Sequence, residues 1–195
     1  MKWLSLVVLS IVSLIAAPAA RAVPVTFTAH MTGPNENPVN NSPGIGDATV
    51  IFDTTAHTMF VSATFSGLTG TTMAAHIHCC IAPPGATGVA TQTPTFLNLP
   101  LGVTSGSFTQ TLDMTLASSF NAPFITANGG TPASAELALF NGALNGMAYF
   151  NIHSTTFNGG EIRGFLVPVP EPATIGIFGL GLIGLFLVRR RGRGL

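Results

Sequence analysis

The stretch Ala74–Cys80, "AAHIHCC", sets two histidines one residue apart and follows them with two adjacent cysteines. Three readings are open: a metal site, a redox device, or the inner wall of a β-sheet that contains imidazoles. Residues two apart on a strand project from the same face, so His76 and His78 point together while Ile77 points away. That is the geometry a shared metal ion needs. The reading therefore depends on whether the surrounding chain is made of strands.

The surrounding chain is patterned that way. Val25–Met31, Asp47–Asp53, His57–Phe65, Gly106–Leu116, Ala148–His153 and Glu161–Val167 alternate apolar with polar residues or are rich in β-branched and aromatic ones, with Gly and Pro clusters between most of them. One segment differs. Thr131-Pro132 followed by "ASAELALFNGAL" offers a cap, a proline at the first helical position and apolar residues at helical spacing, ending between Gly142 and Gly146. Pro83–Leu101 reads as a long ordered loop. Seven strands and one short helix predict an all-β fold, a two-layer antiparallel β-sandwich.

Both ends of the chain read as addresses rather than as parts of this fold. Lys2, the apolar run Trp3–Ala17 and the small-x-small triplet Ala20-Arg21-Ala22 form a signal peptide over residues 1–22, to be removed by signal peptidase. At the other end Pro170-Glu171-Pro172 precedes an uncharged stretch, Ala173–Val188, and then Arg189, Arg190, Arg191 and Arg193. As a helix that stretch reaches roughly 24 Å, a little short of the ~30 Å hydrocarbon core, and the arginines keep its end cytoplasmic. This order of elements resembles the PEP-CTERM sorting signal of Gram-negative bacteria. The resemblance implies an inner-membrane intermediate and then removal of the tail by an exosortase. The product would be released to the cell envelope or an extracellular polysaccharide matrix. The chain thus divides into residues 1–22, a domain over 23–168, and a sorting and transmembrane segment over 169–195.

Removing both ends changes the electrostatics. Between Val23 and Pro170 the only cation is Arg163, against Glu36, Asp47, Asp53, Asp113, Glu136 and Glu161, a formal charge of −5. One arginine cannot neutralise a run of phosphates, which excludes nucleic acid as a partner. The surface must be built from Thr, Ser, Asn and Gly, a composition suited to an extracellular adhesive or matrix role.

Two blocks carry a family resemblance. "FSGLTGTTMAAHIHCC" (Phe65–Cys80) and "AYFNIHSTTFNGGEIRGFL" (Ala148–Leu166) resemble the signature blocks of the CHRD domain, the module named from chordin. The match covers most of Val25–Leu166. It implies a β-sandwich of immunoglobulin or superoxide-dismutase type and, in animals, binding of secreted growth factors. Family members often continue from the second histidine into Gly and a Pro-containing loop, whereas Cys79 and Cys80 intervene here.

His153 shares a strand face with Asn151 and Tyr149, and Glu161 shares one with Arg163. With these strands side by side, His76, His78, His153, Glu161 and Arg163 form one polar patch. Three imidazoles suffice for Zn²⁺ or Cu²⁺ with a position left for water. The other reading has the histidines fix the register of the sheet by cross-strand hydrogen bonds. Arg163 is expected in a buried ion pair with Glu161, and His30 and His57 at surface or strand positions. For Cys79 and Cys80 three readings compete: a vicinal disulfide, which export favours, soft ligands added to the histidines, or links to another chain. No nucleophile elbow, phosphate loop or paired-carboxylate motif is present in the sequence. The expectation is a non-enzymatic exported binding protein for matrix polysaccharide or protein, with no required cofactor. The alternative is a Zn- or Cu-binding protein, with a metal-dependent oxidoreductase as its extension.

Overall fold

A computed structural model describes residues 23–170. The signal peptide, the apolar tail helix and Glu171, Pro172, Arg189, Arg190 and Arg191 lie outside these residues, of which Pro170 is the last. Among the described residues no helix is long and apolar enough to cross a membrane.

Alternating patterns become strands β1 (Val25–Thr32), β2 (Ile45–Asp53), β3 (Thr58–Ser66), β4 (Thr72–Cys79), β5 (Gly106–Asp113), β6 (Ala148–Ser154), β7 (Ile162–Phe165) and β8 (Val167–Pro168). All pair antiparallel in the order β4-β6-β7-β1-β2-β3-β5, with β8 beside β1. The expected last strand is split at Leu166, whose N–H bonds Ala148 O, so β7 pairs with β6 and β8 with β1.

The sandwich expectation holds in part: the fold is antiparallel β, but the described strands form one continuous sheet rather than two stacked ones. The sheet curls because residues from its two ends share one core. Phe108 of β5 lies 6.4 Å from Phe150 of β6, with Phe96 of the intervening loop between them at 5.8 and 5.7 Å. That loop bonds β4 along its length, through Thr72 N–H to Val103 O, Gly102 N–H to Thr72 O and Phe96 N–H to Ala75 O, so β4 and β5 are bridged without pairing. The result is an open half-barrel.

Two helices occur where one was expected: α1 (Ala122–Ala127) and α2 (Pro132–Leu144). Thr131 caps α2 as anticipated, its hydroxyl accepting from Ser134 N–H while the Ser134 hydroxyl accepts from Thr131 N–H. Ala135, Leu139, Gly142 and Ala143 turn one stripe of α2 to the core, and Phe140 packs on Phe27 and Phe52 at 6.4 and 5.6 Å. Each buried aromatic contributes about 1.5–3 kcal/mol over an exposed one. Glu136 ties the helix to the β2–β3 turn through the His57 ring, at 2.7 Å.

Candidate metal centre

Register determines what meets on the β4–β6–β7 part of the sheet. Ala74 pairs with His153, His76 with Asn151 and His78 with Tyr149, while Asn151 pairs with Arg163 and Tyr149 with Phe165 on the other side of β6. The two histidines of β4 and the one of β6 therefore converge on one face. Their ring centroids lie 5.2 Å (His76–His153), 5.7 Å (His78–His153) and 5.9 Å (His76–His78) apart. One potential ligand nitrogen from each lies within 4.8 Å of the others. A tetrahedral ion at ~2.05 Å from each nitrogen needs them roughly 3.3 Å apart, so an inward closure of at most about 1.5 Å forms the site.

Each imidazole has one nitrogen tied to a main-chain carbonyl. His76 Nε2 donates to Pro94 O at 2.7 Å, His78 Nδ1 to Thr87 O at 2.8 Å and His153 Nδ1 to Asn158 O at 2.9 Å. A carbonyl oxygen only accepts, so the bonded nitrogen carries the proton and the other keeps a lone pair. Those other nitrogens, His76 Nδ1, His78 Nε2 and His153 Nε2, are buried and have no hydrogen-bond partner. Burial, the largest influence, lowers the His76 and His78 rings to about 4, against the opposing pull of the Pro94 and Thr87 carbonyls, and also lowers His153. The neutral imidazole is the form that binds metal.

The rest of the expected patch disperses. Glu161 does not pair with Arg163: β7 begins at Ile162, and Gly160 at φ +135° turns the chain just before it, so strand alternation does not reach Glu161. Its carboxylate instead accepts from the Ser42 hydroxyl and from the Thr69 and Gly70 N–H groups. Burial works to raise this carboxyl, but those bonds and one from Ser154 outweigh it and hold it below its usual range. Arg163, 1% exposed, donates to the carbonyls of Asn35, Gly85 and Pro84. Its carboxylate neighbour is Glu36, at 3.8 Å. Burial pushes Glu36 up to about 7, more than the guanidinium and the Asn37 N–H pull it down.

Cys79 and Cys80 are joined to each other by a disulfide, and the sulfurs face Gly142 of α2, not the histidines. Of the two remaining histidines, His30 is exposed beside Asp47 at 2.8 Å, and His57 sits in the β2–β3 turn at φ 52°.

Sequence reasoning missed the residues that hold the imidazoles. Pro94, Thr87 and Asn158 act through main-chain oxygens, which no residue type announces. Tyr149 could have been found, since it shares the His153 face of β6; its ring stacks on His78 at 4.8 Å with 9° between planes, and the Arg163 guanidinium lies 4.8 Å from its centroid.

The profile of the CHRD domain matches residues 27–166, and that of the PEP-CTERM protein-sorting motif matches residues 168–191. No curated protein and no solved structure matches the chain. The three histidines, the stacked tyrosine and the buried arginine all fall inside the first match, and the chain belongs to the CHRD domain family, with a PEP-CTERM sorting motif following that domain.

Proposed function

We propose that the protein is an exported, non-enzymatic surface protein whose CHRD domain holds a Zn or Cu ion on His76, His78 and His153. The observation that carries the reading is the set of three buried, unpartnered ring nitrogens, each left as a lone pair by a carbonyl bond on the far side of its ring. An unsatisfied buried polar atom costs about 1–3 kcal/mol. Three of them close together are accounted for by a shared cation. Imidazole donors without a carboxylate suit Zn or Cu rather than Ca or Mg. Metal analysis of the purified exported protein tests it. Near-stoichiometric Zn or Cu, lost in the His76→Ala, His78→Ala double variant, supports the reading, and a protein that takes up neither ion removes it.

The sorting motif supports the route. Signal peptidase removes residues 1–22, an inner-membrane intermediate follows, and an exosortase acts at Pro170-Glu171-Pro172. Residues 23–168 then work in the cell envelope or extracellular matrix of a Gram-negative bacterium. The immunoglobulin or superoxide-dismutase type of sandwich belongs to the same reading, supported by antiparallel pairing throughout and by sheet ends that face across one core.

A second reading, adhesion to matrix polysaccharide or protein, is favoured by the outer face of β1, β2, β3 and β5. Thr28, Thr49, Ser62 and Thr109 lie in register across the four strands, with Asp47, Thr64 and Ser107 in the next row. These side chains are exposed or half-buried and, Asp47 apart, present hydroxyls to a polyol. Thr49→Glu with Thr109→Glu should cut co-sedimentation with exopolysaccharide several-fold; unchanged retention removes this reading.

A further inference from the structure

We propose that Tyr149 and Arg163 are the positioning residues for the His78 ligand: they clamp the Pro84–Thr87 segment to the sheet so that the Thr87 carbonyl holds the imidazole with Nε2 free for the metal. The inference rests on the metal reading above and says how one of its three ligands is oriented.

A carbonyl fixes a ring only if the carbonyl is itself fixed. Thr87 lies in a segment without helix or strand, Cys80–Gly88, where a main-chain oxygen would ordinarily wander. Here the residue is gripped on both of its peptide groups. Thr87 N–H donates to the Tyr149 hydroxyl at 3.1 Å, and the same hydroxyl donates to Thr87 O at 3.1 Å, beside the 2.8 Å bond from His78 Nδ1. Two and three residues earlier, Arg163 Nη1 donates to Gly85 O at 2.9 Å and Nη2 to Pro84 O at 2.8 Å. The segment is thus held at three carbonyls by two side chains of neighbouring strands.

Tyr149 also touches the ring directly, and Arg163 backs the phenol. The phenol stacks on the His78 imidazole at 4.8 Å, and the guanidinium lies 4.8 Å from the phenol centroid. The phenol–imidazole contact is set by register, since Tyr149 pairs with His78 on one side of β6 and with Phe165, two residues from Arg163, on the other. Stability alone gives a poor account of Arg163. A buried cation is expensive to desolvate, and this one directs its hydrogen bonds at loop carbonyls while its carboxylate neighbour stays 3.8 Å away. Only a planar fork reaches two successive carbonyls in this way, which lysine cannot reproduce.

Tyr149→Phe keeps the ring that stacks on His78 and removes the hydroxyl that holds Thr87. The test uses the exported protein with Cu(II) alone as probe and reads three quantities. These are affinity by competition with a chelator, the number of coordinated imidazole nitrogens by electron paramagnetic resonance, and the melting temperature of the metal-free protein. The expected result is affinity lower by about 10–100-fold and a nitrogen count falling from three to two, with the metal-free melting temperature little changed. A purely structural role would move the melting temperature and leave the nitrogen count at three. Wild-type affinity and nitrogen count in Tyr149→Phe overturn the positioning role while leaving the metal site intact. Wild-type protein that takes up no Cu(II) and no Zn(II) overturns the metal reading, and the inference with it. Should Tyr149→Phe not fold, the same readouts on Arg163→Lys decide.

Discussion

Strands β2, β3 and β5 and strands β4, β6 and β7 belong to one sheet but obey different rules. In the first group burial alternates along each strand, with Val50, Phe52, Met59, Val61, Phe108 and Leu112 inside and hydroxyl-bearing residues outside. In the second group both faces are covered, and Tyr149, Phe150, Asn151 and Ile152 are all buried in succession. A polar residue on the open half is solvated and needs no partner. On the covered half each polar atom must be matched, and the three unmatched ring nitrogens are what the proposed ion would satisfy. The contrast explains why the candidate centre sits at the β4–β6 end and not on the outer threonine rows.

The comparison breaks most visibly if the covered half tolerates what the open half tolerates. The largest effect is expected for His76→Ala with His78→Ala, which should abolish stoichiometric metal uptake, measured by elemental analysis. Thr49→Ala with Thr109→Ala should leave that uptake at the wild-type level. Next comes Gly142→Ala: a methyl there overlaps Cys79 Sγ and lies 2.7 Å from Cys80 Sγ, so α2 must shift. A loss of about 1–3 kcal/mol is expected from urea unfolding. Gly164→Ala should cost a similar amount, because its Cβ would run into the His30 carbonyl of β1. Acid acts on the metal-free protein through the same two rings. The His76 and His78 rings titrate near 4 in the fold against 6.5 when free, so between those values the unfolded chain binds more protons. Their contribution to stability is full above pH 6.5 and is lost as pH falls through about 4. Urea midpoints measured from pH 7 to pH 4 should fall more steeply for the wild type than for the double alanine variant. Smallest of all, Thr109→Ala alone should change stability by no more than about 0.5 kcal/mol.

How much of this could be read in the sequence follows the same division. Period-two alternation located the strands of the open half within a few residues, and Thr131-Pro132 located the start of α2, because those signals are local. The two-residue spacing of His76 and His78 placed both rings on one face, and the pairing of β4 with β6 brought His153 to them. The partner of Arg163 was not readable. Glu36 lies beside the 3-10 turn Gly33–Asn35, 127 positions earlier, and reaches the guanidinium only through packing of that turn on β7. Glu161 was misread because alternation was carried one residue past the strand. Helix α1, six residues without a capping side chain, offers too short a pattern to register. The single curled sheet depends on Phe96 and its loop joining both ends, a contact among residues that look like ordinary loop and strand hydrophobes.

Tyr149 is the only tyrosine in the chain, and the only tryptophan is Trp3. With residues 1–22 removed, as the proposed export route requires, tyrosine emission would come from a single phenol free of any tryptophan background, the one stacked on His78. That phenol would be an optical gauge of the proposed site: a paramagnetic ion bound at the imidazole would quench it, and a diamagnetic one would leave it bright.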